Sequence, residues 1–180
     1  MIQDLFAQLT SFVHGLDPWQ QVLALVPAGA IPFIESYLGS FLGTLVGIHP
    51  AIAIPAAIVG NVLATFAVTA LAGRARGAVL RRGGTGRPDD PGTGAGSGSG
   101  AAPEAGGGRF RTKVAGALDR YGVPGVCLLG PLLVASQITA PTLVALGATR
   151  SRVYLWMGIS IVVWGLAFGL FGGVLSSVAA

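Results

Sequence analysis

Charge is scarce in this chain of 180 residues: 10% are Asp, Glu, Lys or Arg, against roughly 25% in soluble domains. With 52% hydrophobic residues and a mean hydropathy of +0.72, that deficit argues against a water-soluble domain and for a membrane class. Cysteine is nearly absent too. Cys127 stands alone in an apolar stretch, which excludes a disulfide framework or a CxxC site and makes it a small buried hydrophobe. The two histidines, His14 and His49, have no cysteine cluster beside them, so no metal site is expected. The long apolar segments hold one acid and no partner base, so neither catalysis nor a cofactor is expected. No Lys or Arg precedes the first apolar residues and no long hydrophobic core follows, so the start does not read as a secretory signal.

The stretch 83–108 lacks aromatic and large aliphatic residues. It cannot bury a core and reads as a disordered, Gly-rich cytoplasmic linker. No Gly-Lys-Ser/Thr follows its glycines and no strand precedes them, which excludes a phosphate-binding loop. Nucleic acid is not an expected partner, because the positive charge has no folded soluble domain to present it.

What the chain does have is apolar length. Four segments, 21–47, 51–73, 123–147 and 153–178, could each cross a hydrocarbon core of about 30 Å, which needs ~20 helical residues. The first and third differ from the others. One carries Pro27, Pro32 and Glu35; the other carries Pro124, Pro131 and Pro141, with Ser136, Gln137 and Thr139 between the last two. Proline removes a backbone donor and clashes with the preceding turn, so both segments should break near their centres. Broken backbone at membrane depth survives only inside protein or along a wet cavity. Ahead of them, Ile2, Leu5, Phe6, Leu9, Phe12 and Val13 recur at three and four, predicting an amphipathic helix over 1–16 that lies at the membrane interface or packs on the protein.

Charge placement decides whether the broken segments cross. Nine of the eleven basic residues, Arg74 to Arg120, fall in the connection 74–120, which the positive-inside rule assigns to the cytoplasm. Four full crossings would strand Arg150 and Arg152 outside. If 123–147 enters and returns, they stay cytoplasmic, and the same logic turns 21–47 back to the exterior. Each limb, about 12 residues or ~18 Å, reaches the midplane. The expected fold is therefore all-α and integral to the plasma membrane, an inverted repeat of two re-entrant hairpins each followed by a transmembrane helix. The first repeat covers 18–80 (hairpin 21–47, helix 51–73) and the second 110–180 (hairpin 123–147, helix 153–178). Glycines at every fourth position, Gly39, Gly43 and Gly47 in one half and Gly165, Gly169 and Gly173 in the other, suit close helix approach within one chain or between the chains of a homodimer.

Between Asp17 and Arg74 the only formal charge is Glu35. An acid at the bilayer centre costs on the order of 2.5 to 3.5 kcal/mol on insertion scales, which suggests a use. Loss of water disfavours the charged form, and a group so poised can load and release a proton near neutral pH. The chemistry expected is proton coupling by Glu35, with Pro32, Tyr37, Asn61, Pro131, Ser136, Gln137, Thr139 and Pro141 as candidates for a substrate path. Asn61 and Thr65 lie four apart on one face and serve either that path or a helix contact.

The stretch IPFIESYLGSFLGTLVGIHP from Ile31 to Pro50, with Gly60-Asn61 beyond it, resembles the small multidrug export protein family, its Pro-x-x-Glu element most of all. The second half, RYGVPGVCLLGPLLVASQITAPTLVALGATRSRV from Arg120 to Val153 and then Trp164, is similar to that family's second repeat and more distantly to DedA (VTT-domain) membrane proteins. Where those proteins carry arginines, this chain has Tyr37, Leu128 and Val134, so it offers no intramembrane acid and arginine pair. The resemblance implies a re-entrant membrane fold and a transport or lipid-handling role. The expected function is proton-coupled efflux of small amphiphilic or cationic compounds. The alternatives are a lipid or lipid-carrier translocase and a non-transporting assembly subunit. Expected partners are membrane lipids, a small-molecule or lipid substrate, and protons.

Overall fold

In the computed structural model, the residues described are 8, 11, 12, 14–83 and 107–179. They form helices and connections, with no strand among them, as the all-α reading requires. Of the expected N-terminal amphipathic helix, 8, 11, 12 and 14 are helical; the rest of 1–13, like the linker between 83 and 107, lies outside the described residues.

Helix α1 (Pro18–Ala30) begins where its sequence says it must. Gln20 Oε1 accepts the Asp17 backbone N–H at 2.8 Å, and Pro18, which has no N–H to leave unsatisfied, takes the first helical position. After a break at 31–34, α2 (Glu35–Leu45) returns along it: Gly39 lies against Gly29 and Gly43 against Leu25, pairs whose numbers run in opposite directions. The long helix α3 (Pro50–Gly83) follows. Then α4 (Gly107–Leu129) is interrupted at Gly122, whose φ of 65° and ψ of −177° only glycine adopts without strain. A 3-10 turn (Gly130–Leu132) leads into α5 (Ser136–Ala145), and α6 (Arg150–Ala179) ends the fold.

The two halves close their short helices in the same way. After α2, Ile48 N–H reaches Gly43 O and Gly47 N–H reaches Thr44 O, with Gly47 at φ 94°; after α5, Ala148 N–H reaches Leu143 O and Gly147 N–H reaches Val144 O, with Gly147 at φ 101°. Each is a glycine-capped helix end that satisfies the last carbonyls. The first turns of α3 and α6 match again, Ala53 N–H bonding His49 O and Val153 N–H bonding Thr149 O. Every one of these pairs is displaced by one hundred residues.

Helix α2 packs against α1, α3 and α6, and small residues let its neighbours approach. A Cβ at Gly29 would collide with Ala57 O and one at Gly60 with Val26 O, so α1 and α3 touch backbone to backbone. Gly165 and Gly169 of α6 receive Ser36 and Ser40 together with Ile58 and Ile54. Two hydroxyls tie α2 to α6: Ser36 donates to Ile161 O at 2.9 Å and Thr44 lies 3.0 Å from Gly169 O. The periodic glycines expected to serve within or between chains are thus used inside this one. An apolar cluster, with Cys127, Leu143, Val153 and Met157 wholly buried, joins α4, α5 and α6. Two stretches, Pro50–Arg74 and Arg150–Val178, are long and apolar enough to span a membrane.

Candidate functional site

The breaks in the two hairpins meet. Glu35 opens α2 and Ser136 opens α5, and the Ser136 backbone N–H donates to the Glu35 carboxyl group. A single acid therefore faces the starts of two helices, where unpaired N–H groups and the aligned peptide dipoles favour negative charge. Holding it there strains the backbone: Phe33 (φ 71°) and Glu35 (φ 52°) are, among the described residues, the non-glycine positions in the left-handed region. Such a conformation costs roughly 1–2 kcal/mol per residue, and both instances lie within two residues of the buried acid.

Helix α3 supplies the far wall. Asn61, Thr65 and Thr69 recur at every fourth residue and are all buried. Thr65 donates to Asn61 Oδ1 at 3.1 Å, the Ser136 hydroxyl donates to the same oxygen at 3.0 Å, and the two hydroxyl oxygens stand 2.9 Å apart. Two hydroxyl protons serve three oxygen contacts, so one contact lacks a proton. Gln137 Nε2 lies 3.5 Å from Asn61 Oδ1 and donates at 3.1 Å to Ala30 O, the last carbonyl of α1, which has no partner in its own helix. The network thereby links α1, α2, α3 and α5 around one carboxyl group. Glu35 is 1% exposed, Asn61 and Ser136 0%, and Gln137 5%.

Two atoms are left over. Asn61 Nδ2, a donor, and Gln137 Oε1, an acceptor, are buried without a partner. Leaving such a group unpaired costs about 1–3 kcal/mol, so the site carries one free donor and one free acceptor beside an ionisable group.

The other residues singled out by sequence sit differently. Pro32 lies in the break but faces outward, its ring exposed while the backbone it disrupts turns Glu35 inward. Tyr37 does not reach the network: its hydroxyl bonds Phe33 O in its own segment at 3.3 Å and its ring packs edge-on against Phe168. Thr139 is buried but satisfies Val134 O and Ala135 O at 3.3 and 3.2 Å, one turn back on its own chain. Pro131 is buried in the 3-10 turn that shapes the second break. Pro141, well along α5, lines a separate cleft of about 410 Å³ with Thr69, Gly73, Val144 and Arg150. Trp164 donates to Leu128 O at 2.7 Å, tying α6 to α4.

Sequence reasoning undervalued Thr65, which is as central as Asn61, and missed the Ala30 carbonyl. A polar residue every fourth position on an apolar helix was the signal for the first; a main-chain oxygen leaves none. No group of three His, Cys, Asp or Glu able to hold a metal occurs among the described residues. No protein-family model, curated protein or solved structure matches this chain.

Proposed function

We propose that this chain is a multi-pass protein of the plasma membrane in which α3 and α6 cross, the two hairpins enter from opposite faces and turn back, and Glu35 carries protons in exchange for a small amphiphilic or cationic solute. The connection 74–120 is cytoplasmic in this reading. Its partners are membrane lipids, protons and a small-molecule substrate.

Three observations support the membrane placement. Polar side chains are inside and large apolar ones outside: Leu63, Leu71, Leu155, Phe171 and Val174 are each about 60% exposed, an arrangement too costly for a protein surrounded by water. Asn61 stands near the middle of the span Pro50–Arg74, at the depth a hairpin limb reaches. Gly73 adjoins Arg150 at one end of the fold while Pro50 adjoins Gly173 at the other, as hairpins that return would require. The repeated helix caps, displaced by one hundred residues, support an inverted repeat. That plan puts transport sites at the midplane, where discontinuous helices meet.

The single observation that carries the transport reading is the acid itself, sealed between two helix starts beside an unpaired donor and an unpaired acceptor. Protonation cancels the only formal charge there, so the two helix starts hold the loaded and unloaded states unequally and the hairpin tips respond. Reconstituted liposomes carrying a pH gradient and a lipophilic cation test this. Wild-type protein should couple cation movement to proton flux, and Glu35→Gln, which keeps shape and loses the proton, should abolish the coupling. Undiminished coupled flux in Glu35→Gln would refute it. Leaflet exchange of headgroup-labelled lipid without a gradient would favour the translocase alternative.

A further inference from the structure

The cleft lined by Pro141 and Arg150 is not part of the Glu35 site. It opens between α3 and the α5–α6 connection, has a volume of about 410 Å³, and no acidic residue lines it. Arg150 is folded into it across α3: a Cβ at Gly73 would collide with the guanidinium, so only a bare glycine backbone leaves room for that posture. Among the described residues no carboxylate pairs with Arg150, which is exposed, as are Arg152 two residues on and Arg74, which follows Gly73. Both long apolar stretches, Pro50–Arg74 and Arg150–Val178, stop at this level. The walls contributed by Val144 and Ala148 are apolar, and the one hydroxyl, on Thr69, is already given to Thr65 O at 2.7 Å.

From this geometry we propose that the cleft is a binding site for an anionic phospholipid of the cytoplasmic leaflet, with Arg150 holding the phosphate and the Val144 and Ala148 wall receiving the start of the acyl chains. The guanidinium presents its donors in a fork that fits phosphate oxygens two at a time. A free phosphate ion shares the charge but gains nothing from the apolar wall. A zwitterionic lipid shares the acyl chains but carries a second, cationic group against a basic rim. Basic pockets between helices at the cytoplasmic boundary are suited to acidic headgroups on general electrostatic grounds. The cleft shares Thr69 with the α3 wall of the buried network but touches neither Glu35 nor Asn61. It rests on the membrane placement proposed above, not on proton coupling.

The test uses the full chain purified in neutral detergent. Its thermal unfolding midpoint is followed while phosphatidylglycerol, phosphatidylcholine or inorganic phosphate is added, and flotation with liposomes is measured in parallel. Phosphatidylglycerol should raise the midpoint saturably, with the other two having little effect. Arg150→Gln should raise the half-saturating lipid concentration by about tenfold or more, because the paired charge-assisted contact of the fork is lost. Because that variant alters the cleft's only charge, Ala148→Leu provides a second variant that keeps the charge and fills the space; it should weaken the lipid effect, read as the rise in midpoint above that variant's own lipid-free value. Equal stabilisation by phosphatidylcholine, an equal effect of inorganic phosphate at the same concentration, or an unaltered response in both variants would each overturn the proposal. Failure to float with liposomes would overturn the membrane placement along with it, whereas normal flotation without lipid selectivity would overturn the lipid site alone.

Discussion

Replacing Asn61 by Ala removes the acceptor on which three donors converge. Thr65 at 3.1 Å, Ser136 at 3.0 Å and Gln137 at 3.5 Å all direct hydrogen toward Asn61 Oδ1, and the residue is fully buried. Side-chain hydrogen bonds inside membrane proteins average ~0.6 kcal/mol by double-mutant cycles, so three of them amount to about 2 kcal/mol. Ser36→Ala is the matched control: it deletes one buried hydroxyl bond, to Ile161 O at 2.9 Å, in a helix of the same core, and should cost about 0.6 kcal/mol. The assay is reversible unfolding by sodium dodecyl sulfate in mixed micelles, with free energies read by linear extrapolation for both variants. Asn61→Ala should cost about three times as much as Ser36→Ala. An Asn61→Ala loss no larger than that of Ser36→Ala would show that the convergence on one oxygen is not holding the hairpins together. The proton-coupling reading adds a functional half to the same variant. With Asn61 gone, Ser136 loses the partner that fixes its hydroxyl beside Glu35, so coupled flux should fall even at temperatures where the protein stays folded.

Gly60→Leu should destabilise by more than the roughly 1–3 kcal/mol of ordinary overpacking, because its Cβ would strike the Val26 carbonyl oxygen and not a movable side chain; the same unfolding assay measures it. Trp164→Phe keeps the ring contact with Phe168 but leaves Leu128 O without its 2.7 Å donor, and should cost about 0.6 to 1.7 kcal/mol. Glu35→Gln should leave the unfolding free energy within about 1 kcal/mol of wild type, since the amide oxygen still accepts the Ser136 N–H, while proton-coupled flux is lost.

Much of the helical layout could be read from the chain because a few residue types act locally. Gly47 and Gly147 mark the ends of α2 and α5, and the apolar stretches before Arg74 and after Arg150 the two long helices. The helix break at 31–34 coincides with Pro32, and the 3-10 turn with Pro131, because proline cannot donate to the turn before it. What residue types do not fix is direction of approach. Tyr37 and Thr139 are polar residues near the acid in sequence, yet one turns outward to Phe168 and the other bonds its own preceding turn. Pro141 lies in the right segment but too far along α5 to reach the tip. Conversely, Thr65 and the Ala30 carbonyl enter the site only because α3 passes behind both hairpin tips, a relation between segments that local pattern does not encode.

In the membrane placement proposed above, the hairpins turn back where four crossings would continue through, and the side on which residue 150 emerges separates the two most directly. In a Cys127→Ala background, single variants Arg150→Cys and Arg111→Cys would be exposed to a membrane-impermeant thiol reagent in intact cells and in inverted vesicles. Labelling of both in inverted vesicles and of neither in cells is the predicted result. Labelling of Arg150→Cys from the cell exterior would contradict it, and would replace two returning hairpins with four crossings.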